Sequence, residues 1–341
     1  PSTAMRILAD PPSLMSPPAS LQFSGLGRKN VSVSTTADNG LIGCPRVAIA
    51  LASYNGAAFI RPQILSLLWQ ECCQITVFVR DDRSSDDTRG EVLRLAQQYP
   101  GQVILVDEDG PASGSAAQNF FRLLIALRGQ AFDYLALADQ DDIWEERKIA
   151  RALEQLESRN ADGYSSNLVA FSTDGGASGL LRKDHPPAPF DYLFQTASAG
   201  CTYVLTARLF ETVASRLAAN APNPDIAHDI LIYAIARSQG FAWVQDSAAH
   251  VLYRQHANNL VGSRNGAAGL RARWHLVRNG WYRRQTAMLG PYLANTEGER
   301  KIIAAVQSGR PADRLWLALR ARRWRRRWRE AIAFAALQAV P

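Results

Sequence analysis

Two carboxylates one residue apart, Asp139 and Asp141, stand where the apolar run 134–138 gives way to a polar loop. At a strand-to-loop bend both can point at one divalent ion. Hard oxygen ligands with open positions suit Mg²⁺ or Mn²⁺ bridging phosphate oxygens. The same letters also suit a solvated acidic turn, or a helix N-cap ahead of Ile143-Trp144. A second acidic pair, Asp81-Asp82, ends another apolar run and leads through Arg83-Ser84-Ser85 into Asp86-Asp87-Thr88. A carboxylate there can accept hydrogen bonds from a nucleobase N–H or from ribose hydroxyls. Helix capping accounts for Ser84, Ser85 and Asp86 but not for the pair itself. Tyr54, just past a first apolar run, can stack on a base or simply pack. There is no HExxH and the five His are scattered, so any metal must be held by carboxylates.

The elements that must position these groups follow from periodicity. Residues 46–52, 75–80, 103–106 and 134–138 read as buried strands, and 60–71, 86–98 and 118–127 as the helices between them. This alternation predicts an α/β fold, a mainly parallel sheet with helices on both faces and a ligand crevice at the carboxyl ends of its strands. Ser53-Tyr54-Asn55, Asp81-Asp82 and Asp139-Gln140-Asp141-Asp142 follow the first, second and fourth strands, so all three converge on one edge. After a helix at 145–158 the strand signals shorten, at 168–171, 201–205 and 241–245. They predict a mixed second half that builds the other wall of the cleft.

With these motifs in this order, residues 45 to about 260 resemble the nucleotide-sugar glycosyltransferases of glycosyltransferase family 2, which have the Rossmann-like GT-A fold. The resemblance is carried by Val47-Ala48-Ile49-Ala50-Leu51-Ala52-Ser53-Tyr54-Asn55-Gly56, by Val79-Arg80-Asp81-Asp82-Arg83-Ser84-Ser85-Asp86-Asp87-Thr88, and by Ala138-Asp139-Gln140-Asp141-Asp142-Ile143-Trp144. Gly200-Cys201-Thr202, Ala227-His228-Asp229 and the run from Leu252 to Asn259 are similar to the branch of bacterial surface-polysaccharide rhamnosyltransferases. The resemblance implies that Tyr54 and Asp82 contact the donor's base with Asp81 near the ribose. It makes Asp141 the main ligand of Mg²⁺ or Mn²⁺, assisted by Asp139, and Asp229 the general base, preceded here by His228 where the family more usually has Glu. Arg254 and His256, in a loop after a strand, are candidates to meet the diphosphate charge. The implied reaction is a metal-dependent, inverting transfer of a sugar from a nucleoside diphosphate to a saccharide or lipid-linked saccharide. dTDP-rhamnose is the expected donor and a UDP-sugar the alternative. His228-Asp229 could equally cap the helix that follows at 230–239.

Composition sets the remaining bounds. With 341 residues, 47% hydrophobic and 20% charged, the chain can bury a full core, which excludes wholesale disorder and a disulfide scaffold. Cys44, Cys72, Cys73 and Cys201 show no CxxC spacing and read as reduced thiols. The charge is uneven: residues 310–330 hold nine Arg against one Asp and one Glu, and the chain before residue 264 is net negative at about −6. The expected organisation is a flexible leader at 1–44, a catalytic domain at 45–262 and a helical Arg/Trp-rich extension at 263–341. Residues 310–340 read as one helix, with Trp324, Trp328 and Ile332 on a common face. Such a helix suits the inner face of a membrane, with Trp316, Trp324 and Trp328 at the headgroups, or it could pack its Trp face on the catalytic domain. No run is long enough to span a bilayer, and the expected compartment is the cytoplasm. A nucleic-acid binder using interleaved Arg and Trp is the reading outside enzymology, and the expectation is no nucleic acid. A Rossmann dehydrogenase fails for want of GxGxxG after the first strand, and a nucleotidyltransferase for want of a Gly-rich phosphate loop.

Overall fold

A strand's two-residue period sorts the first apolar run onto two faces. In the computed structural model β1 (Arg46–Ser53) sends Val47, Ile49 and Leu51 into one buried layer and Ala48 and Ala50 into the other. Residues 43–106, 110–172, 179–221, 223–255 and 280–339 are described. All but the last two residues of the expected leader, and His256, lie outside them.

β2 (Gln74–Asp81), β3 (Val103–Leu105) and β4 (Tyr134–Asp139) complete the parallel half of the sheet with β1. β6 (Gly163–Ser166), β9 (Val204–Thr206) and β10 (Trp243–Asp246) extend it to the order β10-β6-β9-β4-β1-β2-β3. Only β9 runs antiparallel to its neighbours. A smaller sheet joins β5 (Ile143–Trp144), β11 (Val251–Gln255), β7 (Leu168–Ser172) and β8 (Gly179–Leu181) in that order. One layer packs α1 (Ile60–Leu68), α2 (Thr88–Gln98) and α4 (Lys148–Ser158) on the sheet. The other packs α3 (Ala116–Ala126), α5 (Ala207–Ala219) and α6 (His228–Ser238). Chain register sets the functional edge: Ser53 lies opposite Asp81 and Ala52 opposite Asp139, so β1, β2 and β4 end flush.

The expected elements are present with shifted ends. The helix expected to reach residue 71 stops at Leu68, ahead of a turn in which Cys72 takes a left-handed backbone (φ 61°). The strand expected from 201 begins only at Val204, because Gly200–Thr202 closes a tight turn held by Thr202 and Tyr203 N–H donating to the carbonyls of Ala199 and Gly200.

The C-terminal part corrects the single-helix expectation. After α7 (Trp281–Leu289) and α8 (Glu297–Ser308) come two separate helices, α9 (Pro311–Leu319) and α10 (Trp328–Ala339), with a tight turn at Ala321–Arg323 between them. Trp324 follows that turn, 1% exposed, while Trp328 and Ile332 are 58% and 61% exposed, so the three do not share a face. The Trp324 ring lies 5.8 Å from Phe194 and 5.7 Å from Trp316, and its indole N–H donates to the Leu317 carbonyl at 2.8 Å. This part of the tail belongs to the same core as α3, α5 and α6. Beside it the buried Asp191 carboxylate takes Arg326 at 3.1 Å and Arg237 at 3.4 Å.

Truncating a buried Trp leaves a large cavity, so Trp324→Ala should cost about 3–5 kcal/mol in urea unfolding. Trp328→Ala should cost less than about 0.5 kcal/mol, as expected of an exposed position. Equal losses would show that the tail is not part of the core.

Candidate active site

The loop after β4 is clamped from three sides. Gln63 of α1 donates to the Asp139 carbonyl at 2.9 Å. Gln140, the middle residue of Asp139-Gln140-Asp141, accepts the Tyr54 N–H at 2.8 Å and donates to the Tyr54 carbonyl at 2.9 Å. A side chain on Gly56 would put its Cβ 2.3 Å from Gln140 Oε1, so the glycine keeps room for this clamp. From β11, Arg254 donates through Nε to the Asp141 carbonyl at 2.8 Å and through its backbone N–H to Asp142 at 3.2 Å. Its guanidinium lies over Phe59 and Phe171, 5.2 and 4.8 Å from the ring centroids.

The carboxylates crowd one another. Burial, then the charges of Asp141 and Asp229, push Asp139 up to about 7. Burial, then Asp139 and Asp141, raise Asp142 well above the usual carboxylate range. Ligand atoms of Asp139, Asp142 and Cys201 fall within 4.8 Å of one another. Beneath them Lys148 is fully buried, its Nζ 3.3 Å from the Trp144 ring centroid, and burial drives its ammonium well below its ordinary value. Among the described residues, Lys148 Nζ and Asp142 Oδ2 have no hydrogen-bond partner. Carboxylates whose proton affinity is raised first by burial and then by each other's charge fit a hard divalent cation, which would offset both. Asp139 and Asp141 would hold it; Asp141 is less buried than Asp142.

Asp229 enters from the opposite wall, in the first turn of α6, where the helix dipole favours a carboxylate. Its Oδ1 accepts the Ile230 N–H at 2.8 Å. The N-cap position is taken by Ala227 and no side chain caps the helix, so His228 and Asp229 are not its caps, whereas the charge of Asp229 is felt at Asp139. His228 stacks on Phe120 with centroids 4.2 Å apart, and burial lowers its pKa. A Cβ at Gly200 would sit 2.4 Å from His228 Nε2, so the Gly200 turn and the α6 N-terminus fit against each other.

On the other side of the loop lie the nucleotide candidates. Tyr54 is 56% exposed. Asn55 takes a left-handed backbone (φ 48°), which Asn tolerates better than most residues, and its Oδ1 accepts the Ser85 N–H at 2.8 Å. Asp81 accepts Ser53 Oγ at 3.1 Å and the Ser84 N–H at 2.9 Å. Asp82 accepts from Arg80 Nη1, from the N–H and hydroxyl of Ser113 and from the Gly114 N–H. Burial opposes ionisation of Asp82, but the bonds from Ser113, Gly114 and Arg80 hold it below the usual range. Asp82 thereby organises the loop that leads into α3.

The structure therefore brings Asp139, Asp141, Asp229 and Arg254 together, and places Tyr54, Asp81 and Asp82 beside them along the same edge. His256 lies outside the described residues. The sequence reading gave no site role to Gln140, Asp142, Lys148 or Cys201. The only signal was their position, inside or next to a motif.

A comparison with known proteins bears on this arrangement. The family model described as glycosyl transferase family 2 matches residues 48–212. The dTDP-rhamnosyl transferase RfbG of Shigella flexneri is 34% identical over 247 residues, covering 72% of this chain and 85% of its own. Among solved structures, S. aureus TarS 1–349 with UDP-GlcNAc has a TM-score of 0.53 at 16% identity, over 87% of this chain and 82% of that one. The mannosyltransferase PcManGT from Pyrobaculum calidifontis, with GDP-Man and Mn²⁺, has a TM-score of 0.50 at 17% identity, over 87% and 75%. The fold is that of GT-A glycosyltransferases. The chain belongs to glycosyl transferase family 2.

A carboxyl whose pKa sits at about 7 is protonated below that pH and must lose the proton to take a cation. Mn²⁺ affinity measured by calorimetry should therefore rise about tenfold per pH unit below 7 and level off above it. Asp139→Asn should flatten the slope, and Asp141→Asn should remove most of the affinity. A pH-independent affinity in the unaltered protein would refute the ligand assignment.

Proposed function

We propose that the protein transfers rhamnose from dTDP-rhamnose, with inversion, to a saccharide carried on a lipid in bacterial surface polysaccharide synthesis. The observation that carries the reading is the convergence of Asp229, from one wall, on the acidic loop of the other, at the edge where β1, β2 and β4 end. The likeness to a dTDP-rhamnosyl transferase supports the donor. Asp229 takes the proton of an acceptor hydroxyl as its oxygen attacks the anomeric carbon, while the bond to the nucleoside diphosphate breaks in the same displacement. Tyr54 and Asp82 contact the base and Asp81 the ribose. Arg254 and His256 meet charge on the departing diphosphate. A bound Mg²⁺ or Mn²⁺ supplies Lewis-acid stabilisation of that leaving group. A UDP-sugar is the second reading, favoured by the UDP-GlcNAc in the TarS complex.

A thermal-shift screen with Mn²⁺ separates the donors. dTDP-rhamnose should raise the melting temperature more than UDP-GlcNAc does, since a ligand at a hundredfold excess over its Kd stabilises by about 2.7 kcal/mol. Asp229→Asn should keep that shift and lower transfer at least about a hundredfold, because the base and not the donor contact is lost. Transfer that survives this substitution would overturn the base assignment.

The tail supports a reading of where the reaction takes place. Among the described residues, no helix is long and apolar enough to cross a membrane. Instead α9 and α10 line a shallow groove with Leu319, Trp328, Ile332 and Ala335, and Leu315 and Leu319 are 58% and 74% exposed. Arg310, Arg320, Arg322, Arg323, Arg327 and Arg329 are exposed on the same segment. Apolar side chains ringed by cations suit an anionic lipid surface, each Arg adding about 1 kcal/mol near it. Trp324 is buried and Trp316 packs on it, which leaves Trp328 alone of these three rings outward and counts against a row of stacked bases. The protein should sediment with anionic vesicles at low salt and not with neutral ones, and Trp328→Ser with Ile332→Ser should lower recovery at least about tenfold. Equal recovery with both vesicle types, or a dimer that buries this face in solution, would remove the membrane from the proposal.

A further inference from the structure

We infer that Arg326, in the C-terminal extension, is a positioning residue for the catalytic base, tied through Asp191 and through the Thr196-Ala197 segment to the helix that carries Asp229; the inference rests on the reading of Asp229 as that base. Arg326 is 7% exposed along its side chain, and its three nitrogens are all engaged. Nη1 donates to the Ala197 carbonyl at 3.1 Å and Nη2 to the Thr196 carbonyl. Nε pairs with Asp191 Oδ2 at 3.1 Å.

Both grips lead to α6. Asp191 accepts the Tyr233 hydroxyl at 3.2 Å and pairs with Arg237 at 3.4 Å, and Arg237 also donates to the Tyr233 oxygen at 2.7 Å. Tyr233 and Arg237 lie one and two turns beyond Asp229 on the same helix. The other route runs through the segment that Arg326 holds by its carbonyls. The Tyr203 hydroxyl accepts the Ala197 N–H at 3.1 Å and lies 2.5 Å from Thr196 Oγ1 and 3.3 Å from the Asp229 carbonyl. Thr196 Oγ1 gives its own proton to the Ser198 carbonyl at 2.7 Å, so the phenol's proton is shared between Thr196 Oγ1 and the Asp229 carbonyl. The base therefore rests on a hub whose far side is fixed by a guanidinium from the tail. A planar fork can reach one carboxylate and two carbonyls at once; a lysine ammonium cannot.

Steady-state kinetics of the full chain test this, with Arg326→Lys, Tyr203→Phe and Asp229→Asn alone and in pairs. Arg326→Lys keeps the charge facing Asp191 but loses the fork; Tyr203→Phe keeps the ring and loses the hub without touching the tail. Each should lower kcat about tenfold with donor KM changed by less than about twofold, and neither should lower kcat further in an Asp229→Asn background, where the base is already gone. Wild-type kcat in both single variants would overturn the inference while leaving the base assignment intact. So would losses that add in full to Asp229→Asn, or that fall on donor KM, since these mark a merely structural contact. Should Arg326→Lys fail to fold by circular dichroism, Arg326→Gln, which keeps a planar donor at the same carbonyls, takes its place with the same expected and overturning outcomes. Wild-type transfer by Asp229→Asn would instead remove the base assignment, and this inference with it.

Discussion

Asp139, Asp141 and Asp142 crowd the end of β4 with Asp229 facing them from α6, and the burial of carboxylates so close to one another is the constraint to which the surrounding structure answers. Burying negative charge near negative charge is unfavourable unless protons, cations or dipoles compensate. Each compensator is found on a different element. The Gln63 amide comes from α1, the Arg254 guanidinium and N–H from β11, and the N-terminal dipole from α6. These groups tie the loop to α1 and β11, and they leave an excess of negative charge that a divalent ion would offset.

The nucleotide side is built on a different physical basis. There hydrogen bonds from Ser113, Gly114 and Arg80 hold Asp82 below the usual carboxylate range, and Asp81 accepts from Ser53 and Ser84. The two sides meet at Gln140, whose amide ties the loop after β1 to the loop after β4. Positioning one therefore positions the other.

Much of this was legible in the sequence, for a physical reason. Parallel strands buried on both faces read as apolar runs, and the polar groups just beyond them must sit at the carboxyl edge. The order of elements and the convergence of Tyr54, Asp81 and Asp139 followed from that, while the family came from the resemblance of the motifs at those strand ends. Contacts between distant positions were not legible. Gln140 meets Tyr54 across 86 residues, and Ser113 meets Asp82 across 31. Lys148 falls at the start of an amphipathic helix, where a lysine ordinarily faces water. In the tail, composition alone could not tell an inward Trp324 from an outward Trp328, because a three-residue turn resets the helical phase between Trp316 and Trp328.

The burial of Trp324 and Arg326 carries a consequence for how this chain can be inherited. Phe190, Phe194 and Asp191 lie within the stretch that the family model matches, yet Trp324, Phe334 and Arg326 cover them from more than a hundred residues downstream. A gene fragment ending near residue 262 would encode a surface with bare aromatic rings and a buried carboxylate stripped of one of its two guanidiniums. Recombination that swaps catalytic halves between relatives would have to move the tail as well, or exchange only partners whose tails present the same rings and the same arginine. Variation in donor or acceptor preference is then more easily reached by changes in the loops at the strand edge than by shuffling whole segments.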